Sequence, residues 1–221
     1  MTFVSHAEYP ELNDDELVQL SQIDKNHFSE LYHRHLRRVY LYSLSRIGDV
    51  ADAEDITAQT FVAALENLNT YRAESSFAAW LLGIAKRKLT NYLRRDRRDL
   101  PLERVDELRS DASAPEELVE KRIQWETVAH HMTRLKPNYA EVLALRVFGG
   151  LSAAETGVTM NKSEGAINTL FYRAIRELRQ QINQDSQEIL CHDDQTEKTT
   201  TARDRRDQSF LKSVAGWQRG R

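Results

Sequence analysis

The fold is decided most clearly by the stretch LSAAETGVTMNKSEGAINTLFYRAIREL, residues 151–178. Ser152 and Glu155 have the spacing of a capping box, which predicts the start of a helix. The glycine and asparagine that follow predict that this helix is short, and Ser163 is placed to cap a longer one. Apolar residues then recur at helical spacing as far as Ile182. A short helix, a tight turn and a longer helix are typical of a helix-turn-helix unit.

A further helix is predicted just before this unit. Pro137 suits a first helical turn, and the pair Gly149-Gly150 ends the apolar stripe that follows. Helix-turn-helix spacing also occurs in bundles that bind no DNA, so the pattern favours DNA binding without settling it. The residues placed to contact DNA are Ser163, Glu164, Asn168, Thr169, Tyr172, Arg173 and Arg176.

The N-terminal half carries three more amphipathic helical stripes, which begin near Phe28, Val50 and Phe77. Ser75 or Ser76 is placed to cap the third. No alternating strand pattern accompanies them. The predicted fold is therefore all-α, with an N-terminal helical bundle and a C-terminal helix-turn-helix domain.

The third N-terminal helix carries the basic stretch IAKRKLTNYLRRDRRD, residues 84–99, in a chain whose formal net charge is −3. On a helix its cations form two adjacent rows beside Asn91 and Tyr92. Guanidinium groups hold phosphate bidentately, and asparagine, tyrosine and arginine can bond to or stack on bases. Charge alone leaves two alternatives open, a nucleic-acid contact and an ordinary solvated face.

Composition divides the chain into five segments. Residues 99–120 carry eight acidic side chains against two basic ones and two of the four prolines, which predicts an acidic linker. The polar composition after residue 183 predicts a disordered tail. The segments are an N-terminal stretch 1–20, a helical domain 21–98, the linker 99–120, a helix-turn-helix domain 121–183 and the tail 184–221.

Several classes of protein are excluded by absent patterns. A single cysteine, Cys191, forms no internal disulfide framework, and no apolar run approaches the roughly 20 residues of a membrane span. We therefore expect a cytoplasmic protein without membrane insertion. The paired histidines His33 and His35, and His130 and His131, diverge on a helix and are expected at the surface, so no metal or cofactor is predicted. No enzyme motif is present, and we expect no enzymatic activity.

Three strings in this order resemble the extracytoplasmic-function sigma factors, the smallest two-domain sigma subunits of bacterial RNA polymerase. They are DVADAEDITAQTFVAAL at 49–65, SSFAAWLLGIAKRKLTNYLRR at 75–95 and the stretch from 135 to 178 that contains the helix-turn-helix. The resemblance covers residues 28–182. It implies a factor that binds core RNA polymerase, recognises the −10 and −35 promoter elements, melts the −10 DNA and performs no bond chemistry.

The resemblance also implies roles for individual residues. The contact with core polymerase falls on Asp52, Asp55, Gln59 and Phe61. The helix that Ser163 caps would contact the −35 element. The bases that this helix prefers are not implied, because Asn168 and Leu170 stand where the family often has basic residues. The −10 element, with capture of an unstacked base, falls to Tyr71, Arg72, Ser75, Ser76, Lys86, Arg87, Lys88, Asn91, Tyr92, Arg94, Arg95 and Arg98.

Two features extend the partners that the resemblance implies. In the family the linker passes through polymerase channels that otherwise hold nucleic acid, and the acidic residues 99–120 suit a positive channel. The family is often held inactive by an anti-sigma factor. Two other functions stay open, a helix-turn-helix regulator that acts without core polymerase and an adaptor that binds no DNA. Arg87 stands where the family often has asparagine, so the −10 base preference is not implied either.

Overall fold

The structure is a computed structural model that describes residues 12–99 and 129–193, with side chains described to residue 95 in the first range and to 185 in the second. Residues 100–120 of the predicted linker, and the predicted tail beyond residue 193, lie outside the described residues. Within the described part every regular element is helical, which confirms the predicted all-α class.

Within the described ranges, four helices lie in the first domain and four in the second. The first four are α1 Asp14–Ile23, α2 Phe28–Ile47, α3 Val50–Glu66 and α4 Phe77–Asp99, with 3₁₀ turns at Lys25–His27 and Leu68–Thr70. In the second domain the described part of α5 covers residues 129–133. The remaining helices are α6 Pro137–Leu143, which continues as a π-helical turn Ala144–Phe148, then α7 Ala153–Met160 and α8 Glu164–Asp193.

The predicted caps position the helix-turn-helix unit. Ser152 and Glu155 form both hydrogen bonds of a capping box at the start of α7. Asn161 ends that helix in the left-handed conformation, with φ of 53°. The Ser163 hydroxyl accepts the Ala166 N–H at 3.3 Å at the start of α8. These local hydrogen bonds fix the tight turn between the two helices.

The first domain begins earlier in the chain than residue 21, where the sequence places its boundary. Leu17 and Val18 of α1 are fully or almost fully buried in the same core as Leu31 and Phe77. The sequence does not reveal α1 because its apolar residues, from Leu17 to Ile23, span fewer than two turns, too short a stretch to establish a helical period.

Helix α8 likewise extends to Asp193, beyond the predicted end of the second domain at residue 183. Arg134 donates to the Asp185 carboxylate at 2.7 Å, and His131 Nδ1 lies 3.5 Å from it. These contacts join the extended part of α8 to α5. They also show that the expectation of surface histidines is wrong for His131, which is 6% exposed.

The same expectation is wrong for His35, which is 4% exposed. Its Nε2 donates to Asp14 Oδ2 at 2.8 Å, and its ring packs edge-on against Phe77. Arg34 donates to the Leu12 carbonyl at 2.8 Å and lies 3.4 Å from Asp14. The two side chains hold α1 against α2.

We expect the docking of α1 to weaken in acid because of Asp14. The hydrogen bond from His35 lowers its pKa below the ordinary 3.8, although burial opposes this, and Arg34 adds to the lowering. A carboxylate whose folded pKa is depressed stabilises the fold above its unfolded pKa and loses that contribution as pH falls through the folded value. The urea midpoint of the wild type should therefore fall more steeply below about pH 3.8 than that of Asp14→Asn. Equal steepness in both proteins, with exposed Glu54→Gln as the control, would contradict the assignment.

Candidate nucleic-acid interface

The basic face of α4 is open to solvent along the part whose side chains are described. Arg87, Asn91, Arg94 and Arg95 are exposed, while Leu89 on the opposite side is buried. No ion pair joins these arginines to another described side chain. Such exposed guanidinium groups can contact phosphate, and Lys88 lies half-buried beside them. The side chain of Arg98 lies outside the described residues.

Tyr92 ties this face of α4 to the start of α3. Its hydroxyl donates to Asp52 Oδ2 at 2.5 Å, and the Asp52 N–H is itself held by the N-cap residue Asp49. One carboxylate oxygen of Asp52 is thus already hydrogen-bonded within the first domain. The structure brings together a residue predicted to contact polymerase and one predicted to contact DNA.

The other residues predicted to contact polymerase differ in exposure. Asp55 and Gln59 are exposed on α3, whereas Phe61 is 4% exposed. The Phe61 ring lies edge-on to Tyr32, with ring centres 4.7 Å apart, and Tyr32 is partly open to solvent. Phe61 therefore supports the surface from within, and Tyr32 is a surface residue that the sequence does not single out.

The α3–α4 loop, residues 71–76, begins at a buried tyrosine. Tyr71 is 8% exposed, and its hydroxyl oxygen lies 2.5 Å from Asp15 Oδ1 and 2.9 Å from the Ser75 carbonyl oxygen, so its single proton is shared between these two acceptors. Burial raises the pKa of Tyr71 far above its ordinary value, and the nearby Asp15 charge raises it further. The hydroxyl consequently stays protonated and remains a donor. Arg72 is exposed and Ser75 half-buried.

Helix α8 presents its predicted contact residues to solvent. Ile167 and Phe171 are buried, and Leu170 is half-buried against the core. Leu170 is thus occupied by packing and is not a free surface position. The exposed residues are Ser163, Glu164, Asn168, Thr169, Tyr172, Arg173 and Arg176.

The second domain covers part of the predicted −10 surface. The Ser76 hydroxyl donates to Glu155, and Lys86 Nζ donates to the Thr159 carbonyl at 2.6 Å. Burial alone would raise the pKa of Glu155, but hydrogen bonds from Ser76 and Ser152 and the charge of Arg38 bring it below its ordinary value. Glu155 is therefore an ionised acceptor for Ser76 at neutral pH.

A buried polar group lies at the centre of the contact between the domains. Glu141 of α6 is 7% exposed and accepts from Tyr42 at 2.9 Å and from Arg46 at 3.2 Å. Burial raises the pKa of Tyr42 well above its ordinary value, and the Glu141 charge adds to the effect. Nearby, a Cβ on Gly149 would come within 2.7 Å of Leu82 Cδ1, so the Gly149 backbone lies directly against the Leu82 side chain. We call Tyr42, Arg46 and Glu141 the interdomain triad.

The sequence gives little sign of four residues that shape this surface. Asp15 and Glu141 contact partners 56 and 99 residues away, and no local pattern encodes such pairs. Glu155 is visible only as a capping residue, and its bond to Ser76 is a second role. Tyr32 is hidden in an ordinary helical stripe.

The described residues contain neither a candidate metal cluster nor a candidate membrane span. No group of three or more His, Cys, Asp or Glu side chains is arranged to hold a metal ion there. None of the helices in that part of the chain combines the length and the apolar character that crossing a membrane requires.

Two family models match the chain in order. Sigma-70 region 2 matches residues 31–99, and Sigma-70 region 4 matches residues 127–178. The matches coincide with the two helical domains. They place the basic face of α4 in region 2 and the helix-turn-helix unit in region 4.

Curated relatives agree with this division. The ECF RNA polymerase sigma factor BldN of Streptomyces coelicolor is 34% identical over 175 residues, which cover 77% of this chain and 66% of that protein. The RNA polymerase sigma factor YlaC of Bacillus subtilis is 28% identical over 167 residues, which cover 74% of this chain and 96% of the relative.

Solved structures share the fold. A structure of CnrH in complex with the cytosolic domain of CnrY has a TM-score of 0.57 at 22% identity and covers 76% of this chain and 96% of that one. The sigma factor RpoE in complex with the anti-sigma factor NepR from Bartonella quintana has a TM-score of 0.56 at 17% identity, covering 71% and 96%.

A helical region 2 joined to a helix-turn-helix region 4 defines a sigma subunit of the sigma-70 family. Within that family the chain belongs to the extracytoplasmic-function sigma factors. It is a factor that directs promoter-specific transcription initiation, and a regulator acting without polymerase or an adaptor that binds no DNA is not favoured.

Proposed function

We propose that this sigma factor docks on core RNA polymerase through α3, opens the −10 DNA with the α3–α4 loop and α4, and contacts the −35 element with α8. The observation that carries the proposal is the row of exposed arginines on α4, which form no ion pair with another described side chain, beside an anchored loop. Phosphate contacts from such a row hold the duplex in register, while the loop receives an unstacked base. The protein forms and breaks no covalent bond and acts in the cytoplasm.

Promoter binding requires the two domains to separate. The −10 and −35 elements are centred about 25 base pairs apart, which is about 85 Å at a rise of 3.4 Å. In the structure the domains are in direct contact, and that contact occupies Ser76 and Lys86. We infer that the closed arrangement is the form free of promoter. An anti-sigma factor is a further proposed partner, since structural neighbours were solved with such proteins.

Run-off transcription tests the proposal. Core polymerase supplemented with this protein should yield promoter-specific transcripts from a library of randomised upstream templates, and core alone should not. Footprints with and without core separate the alternatives. A regulator would protect duplex DNA without core, and an adaptor would give no footprint in either case. Absence of any promoter-specific product with several bacterial cores would contradict the proposal.

The double substitution Arg94→Ala/Arg95→Ala should weaken promoter opening more than binding to core polymerase. Both guanidinium groups are exposed and directed to solvent, so their loss should leave the fold intact. The slope of log affinity for promoter DNA against log salt should fall by about 1.4–1.8, because each phosphate contact contributes about 0.7–0.9. The matched control removes two exposed cations outside the proposed surface, Lys25 and Arg37. An equal loss of core binding and promoter opening would argue against this placement of the DNA.

A further inference from the structure

Helix α1 contacts the entry of the α3–α4 loop at two points. Just before the loop, Gln22 Nε2 donates to the Leu68 carbonyl at 3.1 Å. At the first residue of the loop, the proton of the Tyr71 hydroxyl is shared between Asp15 of α1 and the Ser75 carbonyl near the end of the loop. We propose that α1 is the positioning element of the promoter-opening loop, and that Asp15 acts on the loop through Tyr71. This inference rests on the proposed function. It adds Asp15 and Tyr71 as residues that position the loop without themselves touching DNA.

Helix α1 is itself fixed well enough to act as a support. A capping box between Asn13 and Glu16 starts it, and Leu17 and Val18 are buried in the core of the first domain. Asp14 is held by the buried His35, whose ring packs on Phe77. A loop bonded to such a helix inherits its rigidity, because moving the loop would break contacts on both sides.

Tyr71 links the position of the loop to that of α1 and does not offer its ring to a base. Its ring is enclosed by Phe77 and Trp80, with ring centres 5.7 Å and 5.5 Å away, and only 8% of the residue is exposed. No open face is left for a base. The hydroxyl, in contrast, shares its one proton between the Ser75 carbonyl and the Asp15 carboxylate, and a carboxylate is a strong acceptor.

The residues between the two ends form an exposed arch of fixed shape. Arg72, Ala73 and Glu74 are exposed, and Ala73 has a φ of 54°. That left-handed conformation is unfavourable for alanine and persists only where the surroundings impose it. Here the bond from Tyr71 to the Ser75 carbonyl closes the arch over Ala73.

A fixed arch favours the capture of an unstacked base. A loop that orders only on binding loses conformational entropy at that moment, and this loss reduces the affinity for the flipped base. A loop held in advance by α1 avoids the loss. Asp15 is therefore expected to contribute to DNA opening and to have no part in the first contact with duplex DNA.

The experiment compares Tyr71→Phe and Asp15→Ala with the wild type as holoenzymes with core polymerase. The template is a promoter selected from the randomised library, and opening is followed by permanganate reactivity of its −10 thymines. Tyr71→Phe is the sharper variant because it removes one hydroxyl and keeps the ring and the net charge. Gln19→Ala, at an exposed position of the same helix, is the matched control. Amide hydrogen exchange of residues 72–76 in the free protein supplies a readout independent of DNA.

Each variant should open the promoter about tenfold more slowly, the loss expected for one charge-assisted hydrogen bond. The double variant should be no slower than Tyr71→Phe alone, because Asp15 is proposed to act on the loop only through the Tyr71 hydroxyl. Exchange at residues 72–76 should accelerate, while core affinity, binding to a −35 duplex and the thermal midpoint stay close to those of Gln19→Ala.

Two results would overturn the inference. One is unchanged loop exchange and unchanged opening in both variants, with a wild type that opens the promoter normally. The other is a parallel loss of opening, core affinity and thermal stability, which marks Tyr71 as an ordinary core residue. A wild type that opens no promoter with any core overturns the proposed function first, and this inference with it.

Discussion

Replacing Arg46 by methionine is expected to separate the two domains. The substitution leaves the Glu141 carboxylate, which is 7% exposed, with Tyr42 as its remaining partner in the interdomain triad. Removing one partner of a buried ion pair typically costs about 3–5 kcal/mol. A chain in which the carboxylate lies between two domains can avoid that cost by opening, since water then solvates Glu141. We therefore expect opening before unfolding, measured as an increase in the radius of gyration by small-angle X-ray scattering.

A charge-matched double variant controls this prediction. In Arg46→Met/Glu141→Gln the buried charge is gone, and the amide oxygen can still accept from Tyr42. Its scattering should return toward that of the wild type, and Arg37→Met, at an exposed position of the same helix, should leave the scattering unchanged. A wild-type radius of gyration for Arg46→Met alone would show that the triad does not hold the domains together.

The substitution Phe77→Ala should destabilise the first domain by about 3–5 kcal/mol, the usual result of truncating a buried aromatic residue. Phe77 is 1% exposed and contacts the rings of His35, Tyr71 and Trp80. The cavity left by its ring would lie where α2, α4 and the start of the α3–α4 loop meet. Urea unfolding followed by circular dichroism should show the loss as a lower midpoint.

Val62→Ala is the control for that measurement. Val62 is 58% exposed on α3, so its truncation should change the free energy of unfolding by about 0.5 kcal/mol or less. Similar midpoints for the two variants would mean that the core does not depend on Phe77. A Phe77→Ala protein of normal stability would also remove the structural basis for a rigid α3–α4 loop.

Much of the fold is predictable because it depends on neighbouring residues. The predicted helix caps both form, namely the capping box of Ser152 and Glu155 and the cap at Ser163. Each of their hydrogen bonds joins residues three positions apart in the sequence. The exposure of Arg94 and Arg95 follows in the same way from the helical period. Such local interactions can be predicted without knowing how distant segments pack together.

The remaining features depend on distant pairs. Tyr71 is conspicuous in the sequence as an aromatic residue beside a basic helix, but the contact of its hydroxyl is with Asp15, 56 residues earlier. Likewise, the occupation of Ser76 by Glu155 depends on how one domain lies against the other. A single sequence carries no signal for either pair, because hydrophobic periodicity describes one helix at a time.

The length of α8 turns small angles into large displacements. Its 30 residues extend for about 45 Å, and Asp185 lies about 32 Å along the axis from Glu164. A tilt of roughly 5° about Asp185 would move the first turn sideways by about 3 Å, close to the 3.4 Å between successive base pairs. The hydrogen bond from Arg134 to Asp185 therefore fixes the tilt of α8 at a point far from the DNA-facing end. The tilt of α8 in turn helps to decide which base step Glu164 and Asn168 face.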